Sequence, residues 1–154
     1  MVVLNKMTKD KLYTKIMALI DERIESAKMA IALAKESRDN ETKSSVGDKY
    51  ETGRTLMQQE VEKNRVQLHK AERLKTELEN IDLKKRFGKV EFGSLVSDGK
   101  NLYFIATALG KIEVDGKSCF CISLASPIGK ALHNKCVGDK ISFMGKTIEI
   151  IEIN

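Results

Sequence analysis

The spacing of the apolar residues changes near residue 81, and this change is the strongest constraint on the fold. Before it, apolar residues recur every three or four positions, the period of a helix with one buried stripe. After it, apolar and polar residues alternate, and eight of the ten glycines of the chain fall in this part. The sequence therefore predicts an α+β chain in which a helical part precedes a small β domain.

Two apolar stripes in the helical part are separated by a polar stretch. The first stripe consists of Leu12, Ile16, Leu19, Ile20, Ile24, Ala27, Ile31 and Ala34, and the second of Met57, Val61, Leu68, Ala71, Leu74, Leu78 and Ile81. Each stripe needs an apolar partner, and the nearest one is the other stripe. We therefore predict an antiparallel helical hairpin over residues 1–82, a coiled coil with its tip near residues 38–48. Its arms would be on the order of 40 to 50 Å long.

The β domain is predicted over residues 87–154 as a small antiparallel sheet with one short helix. Asp115-Gly116 lies between two alternating runs, as is typical of a hairpin turn. Ser126 and Pro127 predict the start of the short helix, because Ser is a favoured N-cap and Pro fits the first helical position.

Charge and composition exclude several classes of protein. The 27 basic and 22 acidic residues give a formal charge of +5, too small and too dispersed for a nucleic-acid footprint. The N-terminal apolar run is too short for a signal peptide, and no later segment approaches the length of a membrane span. We expect a soluble, cytoplasmic protein with no membrane partner. The three cysteines, an odd number, indicate reduced thiols rather than a disulfide framework.

Four residues of the β domain have side chains of the kind that bind Zn²⁺: Cys119, Cys121, His133 and Cys136. Two of them, Cys119 and Cys121, fall in a predicted strand, where a free cysteine behaves as a small buried hydrophobe. Buried thiols are therefore the favoured interpretation, and zinc is the weaker alternative. The sequence contains no phosphate-binding glycine loop and no Ser-His-Asp order, so it offers no enzyme motif.

Carboxylates are concentrated at the predicted hairpin tip. Residues 36–51 contain the acids Glu36, Asp39, Glu41, Asp48 and Glu51 and the bases Arg38, Lys43 and Lys49. One interpretation is a solvated turn with capping residues. The other is a probe whose tip brings a carboxylate to a metal ion held by another protein, where it helps to bind a second Mg²⁺ and to orient water for phosphodiester hydrolysis.

The β domain resembles the C-terminal domain of the bacterial Gre transcript-cleavage factors. The similarity runs through residues 89–96, 122–132, 137–143 and 148–153. Its most specific part is the Ser-Pro-Ile-x-x-x-Leu element followed by Gly-Asp, formed here by Ser126, Pro127, Ile128, Leu132, Gly138 and Asp139. Gre factors also place a helical hairpin before a domain with the fold of the FK506-binding proteins (FKBP-like), so the order of the parts agrees.

The resemblance implies a transcription elongation regulator that binds core RNA polymerase at its secondary channel, with the C-terminal domain on the rim and the hairpin tip near the catalytic centre. We expect an accessory factor rather than an enzyme, acting as a monomer and touching nascent RNA only indirectly. It would have no cofactor of its own and would share Mg²⁺ with the polymerase. Glu41 and Asp48 are the candidate catalytic carboxylates, and the other candidate partner-binding residues of the tip are Asp39, Lys43, Lys49, Tyr50 and Glu51.

The tip differs from that of the cleavage-active members, which has the form Asp-x-x-Glu-Asn-x-x-Tyr. When the tyrosine is aligned with Tyr50, the three polar positions fall on Lys43, Val46 and Gly47. Two alternatives to stimulated cleavage therefore stay open: a non-cleaving inhibitor or modulator in the channel, and a coiled-coil scaffold unrelated to transcription. The FKBP-like fold also suggests prolyl isomerase activity as a function. The absence of Trp disfavours it, because isomerase sites are lined by aromatic side chains that often include Trp.

Overall fold

The computed structural model describes residues 6–44 and 48–154, with the backbone alone at residues 6, 7, 41–44 and 48–50. The described residues form two long helices, followed by a five-stranded sheet, a two-stranded sheet and one short helix. The α+β class predicted from the sequence is confirmed.

The two long helices are α1 (Lys6–Ser44) and α2 (Asp48–Glu79). Asp21 and Lys75 form an ion pair of 2.8 Å between them, and Arg38 Nη1 donates to Gln58 Oε1 at 2.6 Å. The residue numbers of each pair add up to 96, as expected when two helices run antiparallel in a constant register. Between these levels Ile24, Ala27 and Val61 are buried, so the apolar stripes form the seam.

Helix α1 continues further than the sequence suggested. The turn was predicted near residues 38–48, within a polar stretch, and the first part of that stretch, up to Ser44, is helical. It has neither glycine nor proline, and polar side chains by themselves do not end a helix. The chain between the two helices is therefore confined to residues 45–47, which lie outside the described residues.

The chain divides into two compact units. Met17–Thr76 forms one, and Met1–Ile16 together with Glu77–Asn154 forms the other. The second unit thus combines the β domain with residues that the sequence assigned to the base of the hairpin. Tyr13 Oη donates to the carbonyl of Leu78 at 3.0 Å within it, which joins the start of α1 to the end of α2.

The strands are β1 (Leu95–Ser97), β2 (Leu102–Ile105), β3 (Gly110–Val114), β4 (Lys117–Ile122), β5 (Lys140–Phe143), β6 (Lys146–Glu149) and β7 (Glu152–Ile153), and the short helix is α3 (Pro127–Leu132). The larger sheet has the order β3-β4-β2-β1-β7, and β5 pairs with β6. The expectation of a purely antiparallel sheet is wrong, because β2 and β4 pair in parallel. A hairpin joins β3 to β4, and the two strands are antiparallel. Strand β4 lies between β3 and β2 and runs in the same direction as β2.

Both faces of the larger sheet are covered at β1 and β2, where every residue is buried. One face belongs to a core cluster of Val90, Val96, Tyr103, Ile105, Leu132, Ile141, Ile148 and Ile150, which includes residues of α3, β5 and β6. Lys11 forms an ion pair of 2.7 Å with Asp115, and Lys15 donates to the carbonyl of Glu113. These contacts attach the start of α1 to the β3–β4 hairpin.

Candidate functional site

The predicted tip is described only in part. The side chains of Glu41, Lys43, Asp48, Lys49 and Tyr50 lie outside the described residues, although their backbone ends α1 or begins α2. Two further candidates are described. Asp39 accepts a hydrogen bond from Arg38 Nε at 3.1 Å, and the side chain of Glu51 is exposed.

Arg38 is the centre of a polar network beside the tip. It is bonded to Asp39 on its own helix and to Gln58 on α2. Gln58 Nε2 in turn donates to Glu62 Oε1 at 2.9 Å, and Glu62 accepts from Arg65 Nη1 at 2.9 Å. The network holds α1 and α2 together close to the acidic segment. It also gives the Asp39 carboxylate a cationic partner, with which a metal ion would have to compete.

The Ser-Pro-Ile-Gly segment is explained by local packing. Ser126 Oγ accepts from the Gly129 amide at 3.1 Å and donates to the Ser123 carbonyl at 2.7 Å, so it caps α3 as predicted. Pro127 occupies the first helical position. A Cβ atom on Gly129 would lie 2.0 Å from the Ser123 carbonyl oxygen, so only glycine allows α3 to approach the preceding chain. Leu132 is fully buried in the core cluster.

The Gly-Asp element fixes the loop that follows α3. Gly138 has a φ of +94°, which favours glycine, and its amide donates to the Ile150 carbonyl at 2.7 Å. Asp139 Oδ2 accepts from the Cys136 amide at 2.7 Å, and its carbonyl accepts from the Ile150 amide. The residues that carry the resemblance thus have structural roles. Pro127 and Asp139 are also exposed and accessible to a partner.

The cysteine and histidine positions are not brought together into a metal site. Cys119 and Cys121 are buried on one face of β4, whereas His133 and Cys136 are exposed. A hydrogen bond between the Cys119 thiol and Cys121, together with burial, raises the pKa of the Cys119 thiol far above its usual value. Within residues 6–44 and 48–154, apart from the side chains left undescribed, no three His, Cys, Asp or Glu residues are grouped as metal ligands.

The structure adds a buried lysine that the sequence argument treated only as a charge. The side chain of Lys9 is 1% exposed; its Nζ donates to the main-chain oxygen of Asn154 at 3.0 Å and lies 4.7 Å from the centre of the Phe87 ring. Burial lowers the pKa of Lys9 to about 8, against the opposing effect of the carboxylates of Asp10 and Asp82. One sequence feature could have predicted this burial: Lys9 lies three residues before Leu12, on the apolar stripe of α1.

Comparison with known proteins identifies no relative. No family model, no curated protein and no solved structure matches the chain. Among the described residues, none of the helices is both long enough and apolar enough to span a bilayer. The likeness to Gre factors therefore rests on the sequence pattern.

Proposed function

We propose that the chain is a Gre-like regulator that binds RNA polymerase at its secondary channel and inserts the tip of its helical hairpin towards the active site. In this proposal the hairpin is the probe. The β domain has an FKBP-like fold and docks at the channel rim. The protein acts in the cytoplasm as an accessory factor, and any Mg²⁺ that it helps to bind is held jointly with the polymerase.

The observation that carries the proposal is the antiparallel pairing of α1 and α2 up to the acidic segment. The bond between Arg38 and Gln58 shows that the two helices are still paired next to Asp39. Twenty-eight residues of α1, from Met17 to Ser44, belong to this part of the chain and span about 42 Å at the helical rise. A helical pair of this length is suited to carrying carboxylates deep into a narrow channel.

The segments of the β domain that resemble Gre factors give further support. Ser126, Gly129 and Leu132 have packing roles that any protein with this α3 arrangement would need. A shared arrangement of this kind supports a shared fold, and the function then depends on the tip.

Two mechanisms are compatible with this placement. In the first, a carboxylate of Glu41 or Asp48 stabilises a metal-bound water for hydrolysis of backtracked RNA. In the second, the tip occupies the channel without supporting cleavage. The two mechanisms differ in one observable, whether the backtracked RNA is shortened when the chain is bound.

The proposal is tested with purified core polymerase and a stalled, backtracked elongation complex. Binding together with shortening of the RNA would support the cleavage mechanism. Binding without shortening would support the non-cleaving modulator. Absence of binding to both core polymerase and the elongation complex would refute the proposal, and a stable dimer in sedimentation would then favour the scaffold.

A further inference from the structure

Two β-hairpins of the β domain have the same tight turn. Val114 pairs with Lys117 across Asp115-Gly116, and Phe143 pairs with Lys146 across Met144-Gly145. The two loop residues have φ values of +52° and +74° in the first turn and of +50° and +76° in the second. Positive φ at both positions of a two-residue loop identifies type I′ turns.

The two turns differ in their first residue. Type I′ turns favour Asn, Asp or Gly there, because these residues tolerate the left-handed region, and Asp115 follows this rule. Met144 does not, and its side chain is 86% exposed, the highest value among the large exposed apolar residues of the described chain. The second hairpin therefore combines backbone strain with exposure of an apolar side chain, and neither contributes to folding.

The hairpin that carries Met144 also presents two lysines. Lys140 on β5 and Lys146 on β6 are exposed, and Lys146 pairs with Phe143 beside the turn. The one acid within residues 140–149 is Glu149, which pairs with Lys140 at the end of the hairpin away from the turn. A surface that fits this arrangement has an apolar pocket for one unbranched side chain and carboxylates around its rim.

We propose that Met144 is an anchor residue that inserts into an apolar, acid-rimmed pocket of a protein partner, and that this partner is RNA polymerase. The identity of the partner rests on the function proposed above. The anchor lies in the β5–β6 hairpin, outside the segment from Ser126 to Leu132 and outside Gly138-Asp139. An exposed, rigidly presented Met suits this role because a tight turn holds its backbone in place before binding.

The test compares the affinity of purified core polymerase for the wild-type chain and for Met144→Asn, Met144→Leu and Val137→Thr. Met144→Asn places a favoured residue in the type I′ turn, so its melting temperature should be unchanged or higher by about 2–4 °C. Its dissociation constant should nevertheless rise about tenfold or more, as for the loss of a hot-spot side chain. Met144→Leu keeps an apolar side chain and should stay within about threefold of wild type.

Val137→Thr is the matched control, because Val137 is also exposed in the β domain but its backbone does not have positive φ. It should bind like wild type. Equal affinities of wild type and Met144→Asn, or an equal loss of affinity in Val137→Thr, would refute the proposal that Met144 is an anchor residue. Either result would leave the proposed binding to polymerase standing. Failure of the wild-type chain itself to bind would instead refute the proposed function.

Two other binding partners of the β5–β6 hairpin would be detected in parallel measurements. If wild type, but not Met144→Asn, bound vesicles containing anionic lipid and both bound polymerase equally, a membrane surface would replace the protein pocket. If wild type sedimented as a dimer and Met144→Asn as a monomer with unchanged polymerase affinity, a second copy of the chain would be the partner. Either result would overturn the inference.

Discussion

Lys9 shows how a single residue sets a pH dependence. Its amine is charged in the unfolded chain up to about pH 10.5, whereas in the folded protein burial lowers the pKa to about 8. Below pH 8 both states bind the proton, and the folded state bears the full cost of burying the charge. Between pH 8 and 10.5 only the unfolded state keeps the proton, so the free energy of unfolding rises with pH in this window.

Replacing Lys9 with Met should therefore stabilise the fold at pH 7, by up to about 3 kcal/mol if the whole pKa shift is recovered. The main-chain oxygen of Asn154 would not be left without a partner, because it also accepts from the Leu95 amide at 2.8 Å. The contact of the ammonium group with Phe87 would be lost, which reduces the gain. Chemical denaturation of both proteins at pH 7 and pH 9.5 measures this effect. The advantage of Lys9→Met should shrink at the higher pH, and a constant difference would contradict the assignment.

Gly129 gives a second test at the residue scale. Its position leaves no room for a Cβ atom beside the Ser123 carbonyl, so Gly129→Ala must push α3 away from the preceding chain. We expect it to lower the free energy of unfolding by about 3 kcal/mol. Gly88→Ala is the matched control, since nothing lies within 4 Å of its added Cβ, and it should change stability by less than about 0.5 kcal/mol. Similar denaturation midpoints for the two variants would be inconsistent with the close approach.

At the scale of elements, the sequence predicted what is local. The stripes of α1 and α2 and the cap and first residue of α3 were all visible in spacing and residue type. The parallel pairing of β2 with β4 was not, because nothing in either strand specifies a partner fifteen or more residues away. The tip was predicted only as a range, residues 38–48, and the extension of α1 through residues 38–44 was not specified, because their polar composition is shared by turns and by exposed helix ends.

The roles of the candidate site residues stay predictions. For the Ser-Pro-Ile element the structure shows local roles, the cap made by Ser126 and the burial of Leu132. The buried amine of Lys9 and the exposed Met144 were missed, because burial and φ depend on neighbours that are distant in sequence. Residue type alone predicts the opposite for both, with lysine outside and methionine inside.

The network around Arg38 predicts how the two helices of the hairpin are held together. Gln58→Ala removes the bond from Arg38 and the bond to Glu62, and we expect a loss of about 1 kcal/mol in the free energy of unfolding. The adjacent Gln59 is exposed, and Gln59→Ala serves as the control with the same change in helix propensity. Amide hydrogen exchange should become faster in the last turns of α1 only in Gln58→Ala. Equal exchange rates in both variants would mean that the network does not stabilise the pairing of α1 with α2.

At the scale of the whole molecule, the decisive question is whether the hairpin tip carries chemistry or only fills space. The tip carboxylates are proposed to act on a metal held by the polymerase, so their removal should separate catalysis from binding. Glu41→Ala combined with Asp48→Ala takes away two charges at the tip. If the cleavage mechanism holds, this variant should lose transcript cleavage by about tenfold or more, with polymerase affinity within about threefold of wild type.

A control with the same loss of charge is available on α1, where Glu22 and Glu25 are exposed and distant in sequence from the tip. Glu22→Ala combined with Glu25→Ala should leave cleavage unchanged. If cleavage instead fell equally in both double variants, the loss would be a general effect of charge on binding. If the wild-type chain binds and produces no cleavage, the tip variant should compete for the channel as well as wild type does. In that case the tip acts by occupying the channel, and the charges of Glu41 and Asp48 are not needed for its effect.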